Sequence, residues 1–313
     1  MLTQKLQTAA LFAAVALLAA SSAGAAEEKQ QVEQSTVVTV PPKQEAPGGI
    51  PVGALHLKVN GKETKITGFT PLHGPESTVE LVVLIDDGAR TSLGLQMNDV
   101  AKFVMAQHPD TKVTLAYMMN GQALLGGPLT TDHAAVLHSM HLPLPGGAGI
   151  SGSPYFCLSD LAKRWPSNDI HARREVLMIT DGVDYYDMHY DPEDPYVQSA
   201  TDDAVRARLI VFSIYWSSSD RFDNSNYGSM DGQNLLAEVS QSTGGIAYWQ
   251  GRGNPVDLTP YLDDLKRRFD SQYELDFMTA VGNKPEMQYI KLSASAHAKI
   301  DAPQQIYVHP NAE

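Results

Sequence analysis

Two short apolar runs, each ending on an aspartate, place the strongest constraint on the fold of this sequence. The first reads VVLIDDG over residues 82–88 and the second reads LMITDG over residues 177–182. Runs of this composition are typical of central strands in a parallel sheet, which are buried on both faces. Open α/β sheets bind their ligands outside the carboxyl ends of such strands. The sequence therefore predicts two buried strands that bring carboxylates to one edge of a sheet.

Helical patterns separate these and further strand-like segments. After the first strand, Leu93, Met97, Val100 and Val104 recur at helical spacing. Strands that alternate with helices of this length predict an α/β fold, a doubly wound and mostly parallel sheet with helices on both faces. Small flanking β-elements are predicted beside it, including a hairpin over residues 54–69 that turns at Asn60-Gly61.

The first 25 residues have the pattern of a secretory signal peptide. Lys5 precedes an apolar segment at Leu11–Ala20, and Ala23-Gly24-Ala25 provides a small-residue cleavage site. The pattern predicts an exported protein, periplasmic or extracellular, whose mature chain starts near Ala26 and has no membrane-spanning segment. The alternative, a membrane anchor, is disfavoured because the apolar segment is short for a bilayer.

Composition also predicts where the chain divides. The segment after the signal peptide is polar and rich in Gln, Glu and Pro, which is typical of a flexible tether. The predicted divisions are a signal peptide (1–25), a flexible linker (26–52), a small β-element (53–76), an α/β domain (77–275) and a C-terminal β-segment packed on that domain (276–313).

Charge and composition limit the possible partners and cofactors. The 313 residues include 36 acidic and 23 basic side chains, for a net charge of −13. This balance argues against nucleic acid as a partner. Cys157 is the only cysteine, so no disulfide can form within the chain. No nucleotide-binding fingerprint or paired-histidine zinc motif is found, and no cofactor is predicted beyond a weak Mg²⁺, Mn²⁺ or Ca²⁺ site.

A Gly/Ser loop, PGGAGISGSPYF at 145–156, lies between the two aspartate-ending strands. Ser153 and Pro154 have the pattern of a helix N-cap followed by the first helical position. Because the carboxyl ends of parallel strands share an edge, Asp86, Asp181 and either Ser151 or Ser153 are predicted to lie close together. Carboxylates and hydroxyls around one point suit a hard divalent cation.

Four stretches carry a resemblance to a known family: VVLIDDGAR, EVLMITDGVD, LLAEVSQSTGGIAYW and LKRRFDSQYELDF. Through them, residues 54–310 resemble the von Willebrand factor A-type (VWFA) domain. More narrowly, they resemble the exported bacterial VWFA-related group first noted in acidobacteria. The resemblance implies an adhesion-type domain that binds a protein partner and has no enzymatic activity.

The resemblance also implies a metal-ion-dependent adhesion site. The family pattern is Asp-x-Ser-x-Ser on the first loop, a Thr on the second and an Asp on the third. Asp86 and Asp181 match the two aspartates, and Ser153 falls at the Thr position with Ser151 as the other candidate.

Two first-loop positions depart from that pattern, because Gly88 and Arg90 stand where the family has serines. Gly88 offers no oxygen, and the Arg90 guanidinium repels a cation and can pair with a carboxylate. The expectation is a degenerate site in which metal binding is weak or lost. Two alternatives stay open: a weak metal site with Arg90 turned outward, and aspartates that merely cap their loops.

Two long polar segments follow strands at the same edge, DYYDMHYDPEDPY at 184–196 and a second at 215–234. Tyrosines in such loops give rigid contact area. Each segment is predicted either to bind a partner or to be a solvated insertion. The residues predicted to contact a partner are Arg90, Ser151, Asp184, Tyr185, Tyr186 and Tyr190.

These patterns favour an exported, non-enzymatic protein-binding domain that uses the carboxyl edge of its sheet. Two other classes remain. A metal-assisted or serine hydrolase could use the GISGS stretch at 149–153, which is similar to a nucleophile elbow but lacks its closing glycine. A structural envelope protein would have no ligand at this edge.

Overall fold

The computed structural model describes most of the chain in eleven segments, which are residues 29–41, 50–72, 77–89, 91–143, 153–184, 186, 194–217, 226–248, 251, 253–295 and 299–310. The strands are β1 (Gln30–Thr39), β2 (Leu55–Val59), β3 (Lys62–Thr64), β4 (Ile66–Pro71), β5 (Val79–Asp86), β6 (Lys112–Met119), β7 (Gln122–Leu125), β8 (Arg173–Thr180), β9 (Leu209–Tyr215), β10 (Ala247–Tyr248), β11 (Gln272–Val281), β12 (Glu286–Ala294) and β13 (Gln305–Val308). The helices are α1 (Met97–Met105), α2 (His133–Val136), α3 (Pro154–Lys163), α4 (Pro195–Arg206), α5 (Asn226–Ser242) and α6 (Thr259–Phe269).

The central sheet has the strand order β10-β9-β8-β5-β6-β7. All neighbouring pairs are parallel except β6 and β7, which are antiparallel. This is the doubly wound order, in which the direction of strand addition reverses between β5 and β8. All eight residues of β5 are buried, as its apolar run predicts. The predicted fold class, an α/β doubly wound and mostly parallel sheet, is confirmed.

Helices cover both faces of this sheet because alternate residues of each strand point to opposite sides. On one face, Leu81, Val83 and Ile85 share a core with residues of α1 and α6. On the other face, Val82 and Leu84 share a core with residues of α3, α4 and α5. Burying each such side chain contributes about 1.5–3 kcal/mol.

A β-sandwich forms the second unit. A three-stranded sheet, β1-β11-β4, and a four-stranded sheet, β13-β12-β2-β3, contribute to one hydrophobic core that includes Leu57, Leu275 and Phe277. Its strands come from both ends of the described chain, and the α/β domain is inserted between β4 and β11. The predicted hairpin is present as β2–β3, with Asn60 and Gly61 in left-handed conformations at its turn.

The sandwich corrects the prediction that residues 26–52 form a flexible linker. Residues 30–39 are β1, which pairs with β11 along its whole length. Val32 and Val38 are buried in the sandwich core. The residues between them are mostly polar, so the sequence shows no clear strand pattern here. The predicted boundary at 275 is also wrong, because it cuts β11, and the β-elements at 53–76 and 276–313 belong to one sandwich.

Two predicted loops are shorter than expected. Helix α4 begins at Pro195, within the predicted 184–196 loop, because Asp194 caps its first turn. Helix α5 begins at Asn226, within the predicted 215–234 loop. No helix in the described segments is long and apolar enough to cross a membrane. The predicted signal peptide, residues 1–25, lies outside those segments.

Candidate functional site

Asp86 and Asp181 lie at the carboxyl ends of β5 and β8, the two adjacent strands between which the strand order reverses. Ile85 and Ile179 are in register, so the two aspartates follow at neighbouring strand ends. The Thr180 hydroxyl donates to Asp86 Oδ2 at 2.8 Å and links the strands directly. Both aspartates are almost completely buried. The structure therefore brings these two predicted residues together in the crevice where doubly wound sheets bind ligands.

The carboxylates of this edge also order the loops that follow them. Each accepts a hydrogen bond from a backbone N–H two residues further on, which is an Asx turn. The pairs are Asp86 Oδ1 with Gly88 N (2.8 Å), Asp181 Oδ1 with Val183 N (3.0 Å), Asp184 Oδ1 with Tyr186 N (2.9 Å) and Asp194 Oδ1 with Tyr196 N (2.8 Å). This is the geometry that the loop-capping alternative requires of Asp86 and Asp181.

Ser153 lies at the start of α3 as the sequence predicts. Its hydroxyl is buried and accepts from Tyr155 N at 3.2 Å, so it serves as the N-cap of the helix. The other candidate, Ser151, lies outside the described residues.

Tyr155, which the sequence analysis missed, joins α3 to the loop after β8. Its ring is fully buried, and its hydroxyl donates to the Gly182 carbonyl at 2.6 Å. Burial raises the pKa of Tyr155 well above its usual value, and the negative charge of Asp181 raises it further. The phenol is therefore a neutral donor. In the sequence, the only indication of this contact is that an aromatic residue follows the N-cap Ser153 by two positions.

Gly182 follows Asp181 and allows α5 to approach this loop closely. Its φ is +69°, and a Cβ there would lie 2.5 Å from the Gly232 carbonyl oxygen. A Cβ on Gly232 would in turn lie 2.1 Å from the Asp181 carbonyl oxygen. Both glycines are required by packing, so the TDG sequence has a structural reason independent of any ligand.

The residues predicted as metal ligands were tested against the requirements of a divalent cation. Within the described segments, no group of three or more His, Cys, Asp or Glu side chains is arranged to hold a metal ion. Asp86, Ser153 and Asp181 offer two carboxylates and one hydroxyl, and Mg²⁺ is commonly held through one or two carboxylates with water completing its coordination. The assignment of these three residues as metal ligands stays a prediction. Arg90 lies outside the described residues.

Asp87, the second acid of the VVLIDDG run, forms a separate contact. Its side chain is buried, and its Oδ1 lies 3.8 Å from His141 Nδ1. The His141 ring stacks on Tyr117 with ring centroids 3.6 Å apart. Burial raises the pKa of Tyr117, and the charge of Asp87 adds to the effect. Sequence reasoning missed this cluster because its members come from three separate segments.

An aromatic patch, defined by Phe156, Tyr186 and Tyr196, lies on the α3–α4 side of the edge. The three rings meet edge to face, with centroids 4.9–5.3 Å apart. Tyr186 is 58% exposed, as expected of a residue that contacts a partner. Asp184 is only 3% exposed, so the prediction that it contacts a partner is wrong: its carboxylate orders the turn that presents Tyr186. Tyr185 and Tyr190 lie outside the described residues.

An aliphatic patch, defined by Leu95, Leu142 and Val256, lies on the α1–α6 side of the same edge. These side chains are 80%, 59% and 90% exposed. The Gln96 amide donates to the Val256 carbonyl at 2.9 Å, and Leu142 packs against Gly94. Sequence reasoning missed this patch, because its members lie in three different loops.

Comparisons with known proteins concern the fold alone. No family model and no curated protein matches this chain. One similar solved structure is an aerotolerance-related membrane protein from Bacteroides fragilis NCTC 9343, at 16% identity and a TM-score of 0.42 over 61% of this chain and 98% of that one. Another is the conserved hypothetical protein BatB from Bacteroides thetaiotaomicron, at 14% identity and a TM-score of 0.40 over 61% and 96%. The SpRpn10 VWA domain is 14% identical with a TM-score of 0.35 over 59% and 93%.

Proposed function

We propose that this chain is an exported, non-enzymatic protein-binding domain of VWFA type that binds its partner through the carboxyl edge of the central sheet. One observation carries the proposal: the buried carboxylates of this edge lie between two exposed apolar surfaces, the aromatic patch and the aliphatic patch. The export signal pattern at residues 1–25 supports its placement outside the cytoplasm.

This arrangement has the composition of a protein interface. Such interfaces combine exposed aromatic anchors with a polar surround, and tyrosines are enriched among the residues that contribute most to affinity. Tyr186 is held by its neighbours Phe156 and Tyr196, which lowers the entropic cost of binding. The hydrolase alternative stays a prediction, because Ser151, the central serine of the GISGS stretch, lies outside the described residues.

Tyr186→Ala tests the proposed surface, with Tyr289→Ala as the matched control. Both tyrosines are exposed, at 58% and 64%, but Tyr289 lies on β12 of the sandwich. A partner would first be captured from the native envelope by cross-linking and identified by mass spectrometry. We expect Tyr186→Ala to weaken its affinity about 30-fold, equivalent to about 2 kcal/mol, and Tyr289→Ala to leave it unchanged. Equal effects of both changes would contradict the proposal.

We further propose that metal binding at this edge is degenerate, because Gly88 and Arg90 replace two hydroxyl ligands of the family pattern. Millimolar Mg²⁺ or Mn²⁺ should then leave the melting temperature of the wild type unchanged. The double change Gly88→Ser with Arg90→Ser should make stability depend on metal, by about 1–3 kcal/mol for a Kd of about 10–100 μM at millimolar metal. Calorimetry that detects micromolar binding to the wild type, lost in Asp181→Ala, would refute a degenerate site.

A further inference from the structure

The β1 strand has one long unpaired edge. Thr39 forms two backbone hydrogen bonds with Asp301, on the side of β1 away from β11, through its N–H and its carbonyl. The even-numbered residues of β1 therefore direct their N–H and C=O groups toward β11. The N–H and C=O groups of Gln31, Glu33, Ser35 and Val37 therefore point away from β11, because backbone groups alternate sides along a strand. In the described part of the chain, no other strand pairs with these four residues.

Exposed strand edges are normally protected by shortness, proline or lysine. The β1 strand has ten residues and contains neither proline nor lysine. Glu33 places one charge on this strand, but the edge lacks the stronger protection of proline or a short length.

A cavity of about 890 Å³ lies along this edge. Residues 33–37 of β1 form one wall, residues 305–307 of β13 form another, and residues 205–210 at the end of α4 and the start of β9 form a third. It is at the amino ends of β8 and β9, at the opposite end of the central sheet from the carboxylates. Five residues of an extended chain span about 17 Å, so the cavity wall at 33–37 matches a peptide of that length.

Arg208 gives this cavity a cationic group. Its backbone has a φ of +58° just after α4, where glycine is normally favoured. Its Nη2 donates to the Ser35 hydroxyl at 3.0 Å and, more weakly, to the Ser35 carbonyl at 3.4 Å. Within the described residues, Arg208 forms no ion pair with a carboxylate, whereas the nearby Arg206 is paired with Asp202 and Asp203.

We propose that an extended segment of a partner protein enters this cavity, pairs with the outer edge of β1, and places an acidic side chain against Arg208. Main-chain hydrogen bonds to Ser35 and its neighbours would supply affinity, and the guanidinium would select the acid. Glu33 and Glu274 also line the cavity, as do Arg173, Arg174 and Arg206. Because Arg206 is already paired with acids of its own helix and the two glutamates repel further negative charge, the cavity fits a segment with a single acidic side chain rather than an acidic run.

A pair of proline variants tests the edge. Ser35→Pro removes an outward N–H inside the cavity, and Gln31→Pro removes an outward N–H of the same strand outside it. The N–H group of each residue faces away from β11, and an edge strand tolerates proline where its N–H faces outward. Random eight-residue peptides displayed on phage would be selected on the wild type, and binding of the enriched peptides would be measured by fluorescence anisotropy. Thermal melts of both variants would verify that the sandwich is intact.

We expect enriched peptides with alternating β-forming residues and one Asp or Glu. Their affinity should fall at least 10-fold in Ser35→Pro and stay within about 2-fold of the wild type in Gln31→Pro. Arg208→Gln should weaken the acidic peptides but not their Asn or Gln counterparts. The proposal is overturned if no peptide is enriched, if the two proline variants bind equally, or if sedimentation shows a dimer of the wild type that Ser35→Pro abolishes.

Discussion

The α/β domain and the β-sandwich are assembled in different ways from the same chain. The α/β domain uses the continuous stretch from β5 to α6, and its central strands are buried on both faces. The sandwich combines residues 30–71 with residues 272–308, and its strands alternate between buried and exposed positions. A core built from contiguous sequence is apparent in local patterns, whereas a core built from the two ends of a chain depends on pairing that no local pattern contains.

A buried polar cluster joins the two units. Arg173, at the start of β8, donates to the Phe269 carbonyl at 2.8 Å and to Gln272 Oε1 at 2.5 Å. Gln272, the first residue of β11, donates in turn to Glu175 Oε1 at 2.8 Å. Gln272 therefore connects β11 of the sandwich to β8 of the α/β domain by hydrogen bonds.

Removal of β1 is the strongest test of this comparison. A chain that begins at Ile50 lacks β1 and exposes one side of β11, while a chain that begins at Lys29 retains it. Because Val32 and Val38 would no longer be buried and ten residue pairs with β11 would be lost, we expect the shorter chain to be insoluble or to melt at least about 10 °C lower. Equal melting temperatures would restore the view that this segment is a flexible tether.

Glu175 tests the buried polar cluster that joins the two units. Burial raises the pKa of Glu175 from 4.5 to about 7, although Gln272 and Arg173 partly offset the effect. Between these two values the folded state holds a proton that the unfolded state has lost, so the free energy of unfolding falls as pH rises from 4.5 to 7. Above pH 7 the Glu175 carboxyl is ionised in both states, and its burial then lowers the free energy of unfolding by about 3 kcal/mol at most.

Glu175→Gln should therefore stabilise the protein at pH 8 and change it little at pH 4.5, as measured by urea unfolding. Glu63→Gln, at an exposed position of β3, is the matched Glu-to-Gln control. If the Glu175 variant is equally stable relative to the wild type at both pH values, the carboxyl is not desolvated at the junction.

Ser153→Ala has the smallest expected effect. Ser153 lies in the α/β domain, whose helices and strands are apparent from local sequence patterns. Loss of the N-cap bond to Tyr155 should cost about 1 kcal/mol in the free energy of unfolding. Ser159→Ala, in the same helix, controls for loss of a hydroxyl, since its partner is the Asp203 side chain rather than the helix backbone. If both variants lose the same free energy of unfolding, the capping bond contributes no more than the hydroxyl of Ser159.

The candidate site was predictable in part. Asp86 and Asp181 are at strand ends because each follows an apolar run, and Ser153 caps α3 because it precedes proline at a helix start. The burial of Asp184, the contact of Tyr155 with Gly182 and the aliphatic patch were not predictable, because each depends on residues that are distant in sequence. Residues 90 and 151 lie outside the described segments, so their roles stay predictions.

The sequence by itself determined the doubly wound sheet, its helices and the carboxylates at its edge, because apolar periodicity and capping residues act within about ten positions. Only the tertiary structure decided that residues 30–39 form a strand. That strand exists because β11, more than 200 residues away, supplies hydrogen-bond partners and a hydrophobic core. The tertiary structure also decided that the unpaired edge of β1 faces a cavity beside Arg208, since β1, β13 and the end of α4 meet there although they are distant in sequence.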